Sequence, residues 1–167
     1  MDIIEKVKIE SIISNASLSK REKLDFLLES NTSNESKNWG ININDAIFRV
    51  RFTVVTPELA NVLLTYFNDT NRPISNTNIL NLHKEISNNR WLVNGETITF
   101  NEAGDMTNGQ HRLLALVKAD VSLLLLTITG LKEETFATID GGRKRVTSDV
   151  LAHAGVTSSK NTSSLCK

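Results

Sequence analysis

A polar turn that ends in Gly109 leads directly into an apolar helical stretch, and this junction constrains the chain more than any other feature of its sequence. Residues 107–119 read Thr-Asn-Gly-Gln-His-Arg-Leu-Leu-Ala-Leu-Val-Lys-Ala. We therefore expect Gln110, His111 and Arg112 in the first turn of a helix, where backbone N–H groups lack intrahelical partners and the positive end of the helix dipole lies. Such a turn predicts an anion site, above all for phosphate, although a glycine turn with a solvated cap would leave the same short pattern.

Turn and strand signals on both sides of this junction support the phosphate interpretation. Asn94-Gly95 is a tight-turn signal, and residues 96–100 form a short run rich in β-branched residues. A second turn at 101–105 then leads into the junction. Downstream, residues 121–129 form an apolar run that is too short to span a bilayer, which predicts a buried strand. Strand, turn, helix and strand, with glycine at the turn, is the context that a phosphate site requires.

The remaining patterns predict one α/β or α+β domain with a small mixed sheet and packed helices. Residues 1–37 indicate a helical N-terminal appendage that ends in a polar Asn/Ser linker, and 38–155 indicate the main domain. Within it, residues 48–55 predict a strand with one wet face, because Arg49 and Arg51 alternate with apolar residues. Helices are expected after Thr56-Pro57 and over 75–87, and 156–167 read as a disordered tail, as in a truncated chain.

Three boxes in the sequence resemble a known superfamily. Asn108-Gly-Gln-His-Arg112 and its surroundings are similar to the nucleotide-binding core shared by ParB partition proteins, sulfiredoxins and DGQHR-domain proteins. Members carry a Gly-x-x-Arg or Gly-x-His-Arg box at a helix start, where it binds nucleotide phosphates. Residues 71–75 resemble the arginine-containing first box, and residues 138–145 stand where those proteins have an acidic, asparagine and arginine box. The resemblance covers roughly residues 50–150 and implies a ParB/sulfiredoxin-like fold.

The departures from this superfamily narrow the activities that the resemblance implies. Gln110 stands where sulfiredoxins have their catalytic cysteine, and the only cysteine is Cys166, which argues against sulfinic acid reduction. Asn108 replaces the aspartate of the DGQHR pattern. Ile139-Asp140 stands where ParB-like proteins have Glu-Asn, so Asp140 is the remaining candidate for a magnesium ligand. The missing glutamate argues against partition-type CTP hydrolysis.

The resemblance therefore implies a defined set of site residues. The nucleotide- or phosphate-binding candidates are Arg72, Asn108, Gly109, Gln110, His111, Arg112 and Arg143. Asp140 would position Mg²⁺ with a nucleoside triphosphate and is the one catalytic candidate. Lys144 and Arg145 are candidates for contacts with nucleic-acid phosphates, although a short basic cluster is commonly a solvated face. Glu96 reads either as a general base or as an ordinary solvent-facing residue.

Composition excludes several classes of protein without naming a partner. Lys and Arg number 19, as do Asp and Glu, so the chain has no overall basic field for nucleic acid. A single cysteine excludes an internal disulfide, which is consistent with a reducing cytoplasm. Charged residues interrupt every apolar stretch near Met1, so we expect a cytoplasmic protein with no membrane partner. No two histidines have a metal-ligand spacing and no cysteine pair exists, so no structural zinc is predicted.

Three functions remain open on the sequence. The chain could be an NTP hydrolase or phosphotransferase. It could be a DNA-associated regulatory module of a phage or mobile-element type that uses a nucleotide as a switch or only docks on the DNA backbone. It could instead be an interaction protein that inhibits a larger nucleic-acid machine through its surface and keeps only a vestigial pocket. Nucleotide or phosphate binding at the Gly109 helix is the core prediction, and whether the protein is an enzyme stays open.

Overall fold

Five strands form one mixed sheet among the residues that the computed structural model describes, which are 3–32, 40–43, 46–69 and 71–138. The strands are β1 (Gly40–Ile43), β2 (Ala46–Val55), β3 (Thr97–Asn101), β4 (Met106–Asn108) and β5 (Leu123–Leu131). They lie in the order β1-β2-β5-β3-β4, and every neighbouring pair is antiparallel except β3 and β5, which are parallel. The expected small mixed sheet of an α+β fold is confirmed.

Five helices lie in the described ranges, and their starts follow the capping signals in the sequence. They are α1 (Ile3–Ser14), α2 (Lys20–Ser30), α3 (Pro57–Tyr66), α4 (Asn76–Ser87) and α5 (Gln110–Ala119), with a 3-10 segment at Glu133–Thr138. The Ser-x-x-Glu pattern at residues 19–22 predicts a capping box, and Ser19 and Glu22 form it at the start of α2. Thr56 caps α3 ahead of its first-turn proline. Asparagines rather than glycines close α2 and α4.

The core lies where α2, α3 and α5 meet one face of the sheet. Its buried side chains come from these three helices and from β2, β3, β4 and β5, and they include Leu24, Leu27, Leu28, Leu59, Leu63, Ile98, Phe100, Met106, Leu113 and Leu116. Each such side chain stabilises the fold by about 1.5–3 kcal/mol relative to exposure. Three of these leucines belong to α2, so this helix, inside the segment expected as an appendage, packs into the same core as the sheet.

A buried charged cluster joins α2 to the middle of the sheet. Arg51 is only 1% exposed, and it donates to the Asp25 carboxylate at 2.7 Å and to the Thr129 hydroxyl at 3.0 Å. Arg21 donates to the other oxygen of Asp25 at 2.8 Å. The predicted wet face of β2 is therefore wrong at Arg51, because a carboxylate from α2 compensates its charge inside the protein.

The chain separates into two compact units, Met1–Phe136 and Ala137–Lys167. Helices α1–α5 and the five strands belong to the first unit. The predicted tail at 156–167 and most of the predicted linker at 31–37 lie outside the described residues. Within the ranges that are described, no helix combines the length and the apolar character needed to cross a membrane.

Candidate functional site

The start of α5 carries the backbone geometry that the sequence predicts. Gly109 is the N-cap residue, with φ 110° and ψ −5°, and no side chain caps the helix there. The N–H groups of Arg112 and Leu113 bond to the Gly109 carbonyl at 3.0 and 3.1 Å. Among the described residues, no acceptor lies against the N–H groups of Gln110 and His111. Two backbone donors at the positive end of the helix dipole are thus available to an anion.

Gly109 also has a structural task that the sequence alone did not show. A Cβ at this position would lie 2.4 Å from Cδ1 and 3.2 Å from Cα of Ile98, which is in β3. Its positive φ adds a second reason for glycine, because side chains strongly disfavour that backbone region. Glycine therefore lets the start of α5 press against the central part of the sheet.

Gln110 connects residues 108–112 to the first box, residues 71–75, through a hydrogen bond. Its side chain is 3% exposed, and its Nε2 donates to the backbone carbonyl of Arg72 at 2.5 Å. Asn71 in turn donates from Nδ2 to the carbonyl of Met106 at 3.3 Å, just before α5. The structure thus brings residues 71–75 next to residues 108–112. The side chain of Arg72 itself is exposed.

His111 sits where the N-termini of α4 and α5 meet. Its Nε2 accepts a hydrogen bond from the backbone N–H of Ser75, the N-cap residue of α4, at 2.9 Å. Because Nε2 accepts, the proton of the neutral ring must be on Nδ1. That Nδ1 is buried, and it has no hydrogen-bond partner among the described residues. The site therefore holds an unsatisfied N–H donor beside the positive ends of two helices.

The electrostatic surroundings of His111 keep its ring neutral. Burial lowers the pKa of His111 below its ordinary value of 6.5, and the positive charges of Arg72 and Arg112 lower it further. The side chain is 5% exposed. The imidazole accordingly acts as a neutral donor at neutral pH, and the net positive charge of the site comes from arginines and helix dipoles.

Arg112 joins α5 to the beginning of β3. Its guanidinium donates to the carbonyl of Thr97 and to the carboxylate of Glu96, and its side chain is 12% exposed. Glu96 is 55% exposed, as expected of a solvent-facing residue, and its carboxylate forms an ion pair with Arg112. Asn108 ends β4 opposite Thr99, directly before Gly109.

Residues 139–145 of the third box lie outside the described residues. Asp140, Arg143, Lys144 and Arg145 are among them, so their predicted roles stay predictions. In the part of the chain that is described, no group of three or more His, Cys, Asp or Glu side chains could hold a metal ion.

Two contacts of the site carry no signal in the sequence. The Ser75 N–H and the Arg72 carbonyl are backbone groups, which any residue supplies, and they meet α5 from 36 and 38 positions away. The sequence pattern predicted a helix over 75–87, and the structure shows Ser75 as its N-cap residue.

Comparison of the chain with protein-family models, with curated proteins and with solved structures finds no match. The ParB/sulfiredoxin-like resemblance therefore depends on the sequence boxes alone and stays a prediction.

Proposed function

We propose that the start of α5 binds the phosphate group of a nucleotide or a related phosphate ester. The observation that carries this proposal is the meeting of two helix N-termini at His111, whose Nδ1 is a buried donor with no partner among the described residues. Buried donors of this kind are rare in proteins, and each calls for an explanation such as a ligand, an ion or a water molecule.

The charge of the site favours an anion over a neutral ligand. The α4 and α5 dipoles both place positive potential at this point, and each helix terminus contributes about 0.3–1 kcal/mol toward a nearby anion. Arg72 and Arg112 lie close enough to His111 to lower its pKa. A phosphate placed here would replace repulsion among like charges with charge-assisted hydrogen bonds.

Each residue has a separate role in this proposal. The backbone N–H groups of Gln110 and His111 and the Nδ1–H of His111 donate to phosphate oxygens. Arg72, whose side chain is exposed, closes over the ligand from the loop before α4. Gln110 positions that loop through the Arg72 carbonyl, and Arg112 positions the start of α5 through Thr97 and Glu96.

The site supports binding rather than a particular reaction. Its described groups are donors and positioning contacts, and the one nearby carboxylate, Glu96, is held in an ion pair. We therefore propose a phosphate-binding protein, with nucleotides as the ligand class that the three boxes favour. DNA is the second ligand class with this chemistry, because its backbone presents the same phosphate groups.

A ligand panel with matched arginine variants tests the proposal. Thermal shift and titration calorimetry would be run on the full chain with nucleoside mono-, di- and triphosphates and with inorganic phosphate, each with and without Mg²⁺. Arg72→Ala should weaken binding about tenfold, since it removes a charge-assisted contact worth roughly 1.4 kcal/mol. Arg90→Ala is the control, because Arg90 is exposed, is paired with Glu85 and follows the opposite end of α4.

Two results would contradict the proposal. One is that no phosphate compound or short DNA raises the unfolding temperature or produces heat of binding. The other is that Arg72→Ala and Arg90→Ala weaken binding equally, which would show a response to overall charge and not to this site.

A further inference from the structure

A groove of about 750 Å³ lies between α1 and α3, on elements that take no part in the phosphate site. Its described lining has two chemical parts. Ile9, Ile13, Val62 and Tyr66 form an apolar surface, and Glu10 and Glu58 add two carboxylates.

The apolar surface is held in place by the core beneath it. Ile9, Ile13 and Val62 are partly buried and pack against the core, whereas Tyr66 is 49% exposed. Ile9 and Ile13 are four residues apart on α1, and Val62 and Tyr66 are four apart on α3. Residues at this spacing lie on the same side of a helix, so each wall presents one apolar ridge. Two such ridges form the seat that a third helix occupies in helix-in-groove recognition.

The charged side chains in the described lining of the groove are acidic. No Lys, Arg or His is among its described lining residues, and neither Glu10 nor Glu58 forms an ion pair with a described residue. Hydrogen bonds from its own backbone N–H and from Thr56, together with the positive charge of the N-terminal amine, lower the pKa of Glu58, so this carboxylate stays ionised. An occupant that buries the apolar ridges would have to meet two negative charges.

We propose that this groove binds an amphipathic helix of a partner protein, with apolar side chains on successive turns and Lys or Arg residues beside them. The basic residues follow from the two carboxylates of the lining, since opposite charge is what favours one partner over another at the edge of an interface. A second copy of this chain, docked symmetrically through the same groove, would instead place these carboxylates opposite each other. This inference goes beyond phosphate binding and is independent of it.

Peptides selected on the protein test this inference. A library of short displayed helices with randomised apolar and charged positions would be selected on the immobilised full chain, and the winners measured by fluorescence anisotropy. We expect winners with apolar residues at i, i+3 or i+4 and a net positive charge. Their affinity should fall as salt rises.

Charge variants then locate the binding surface. Glu10→Lys with Glu58→Lys should weaken the selected peptides about tenfold, because two attractive pairs at the groove become repulsive. Glu10→Gln with Glu58→Gln should give a smaller loss, and it serves as the second variant if charge reversal disturbs α3. Glu102→Lys with Glu134→Lys changes the same charge at exposed positions elsewhere, and it should leave affinity unchanged.

Four outcomes would overturn the inference. They are selection of no binding peptide, selection of neutral or acidic winners, equal loss of affinity in the Glu102 and Glu134 control, and concentration-dependent dimerisation that both groove variants abolish.

Discussion

The Nε2 atom of His111 accepts a hydrogen bond from the backbone N–H of Ser75, and this 2.9 Å contact fixes the relation between α4 and α5. It also determines which ring nitrogen of His111 carries the proton. His111 thus has a structural role in joining two helix N-termini and, in the function proposed above, a ligand-binding role through its buried donor, and substitutions can separate the two.

Two amides that mimic opposite ends of the imidazole separate these roles. In His111→Gln, the amide oxygen can reach the Ser75 N–H, whereas the donor at the Nδ1 position is lost. We expect this variant to remain folded and to bind phosphate compounds about tenfold more weakly, the cost of one charge-assisted hydrogen bond. In His111→Asn, an amide N–H can replace Nδ1–H, but the acceptor for Ser75 is lost, so stability should fall by about 1 kcal/mol or more. Calorimetry and urea unfolding measure the two effects. Equal behaviour of the two variants in both assays would show that His111 is only a packing residue.

The neutral His111 ring makes stability depend on pH. Its pKa in the folded protein is below the ordinary value of 6.5, so the folded state binds fewer protons than the unfolded state just under that pH. The contribution of His111 is therefore fully present above about pH 6.5 and is lost as pH falls through the lowered pKa. Urea unfolding from about pH 7.5 to pH 5 should show this loss in the natural chain and a smaller one in His111→Gln. His83 and His153 remain in both proteins, so the difference between the two curves isolates His111.

Asp25 should be the most sensitive charged residue of the fold. Burial raises its pKa, but hydrogen bonds and charge from Arg21 and then Arg51 lower it further, and the result is below its ordinary value of 3.8. Asp25→Asn would leave Arg51, 1% exposed, without a counter-charge, so we expect a loss of about 3 kcal/mol in urea unfolding. Glu85→Gln removes one partner of an exposed pair with Arg90 and should leave stability nearly unchanged. Equal effects of the two substitutions would contradict a structural role for the buried cluster.

The lowered pKa of Asp25 also predicts how the stability of the fold responds to acid. Because the folded pKa of Asp25 is lowered, its contribution is present above about pH 4 and is lost as pH falls through the folded value. Asp25→Asn should therefore flatten the stability curve below about pH 4.

Local patterns in the sequence predicted the elements around the site well. The strand after Gly95, the turn at 101–105, the helix after Gly109 and the following strand all occur, and so do the capped starts of α2 and α3. These features depend on residues close together in the chain, such as Ser19 with Glu22. The short edge strand β1 was missed, because Gly40–Ile43 contains glycine and asparagine within a polar region.

Features that depend on how elements pack could not be predicted in the same way. Arg51 alternates with apolar residues as a solvent-facing arginine would, and only the docking of α2 brings Asp25 to it. The partner of Gln110 is a carbonyl that carries no side-chain signal. Gly109 was expected to give a ligand room, and its contact with Ile98 depends on the distance between α5 and β3.

Arg112 should matter for stability as well as for any ligand. Its guanidinium joins the Thr97 carbonyl and Glu96, and its side chain is 12% exposed, whereas that of Glu96 is 55% exposed. Arg112→Ala removes both contacts, so we expect a loss of about 1–3 kcal/mol in urea unfolding. Glu96→Gln leaves the Thr97 contact in place and should cost much less. Equal losses would show that the ion pair and not the carbonyl contact holds the helix.

Two glycines with positive φ give a matched test of the helix start. Gly109 and Gly95 have φ of 110° and 79°, but a Cβ at Gly109 would lie 2.4 Å from Ile98, whereas a Cβ at Gly95 would meet nothing within 4 Å. Gly95→Ala therefore adds backbone strain alone, about 1 kcal/mol. Gly109→Ala adds the same strain and forces Ile98 or α5 to move, which costs about 1–3 kcal/mol more. Urea unfolding of both variants measures the difference. If the two substitutions were equally destabilising, close packing of α5 against β3 would not be the reason for glycine at 109.

Because the displaced helix start carries the Gln110 and His111 N–H groups, Gly109→Ala should also weaken phosphate binding, and Gly95→Ala should not.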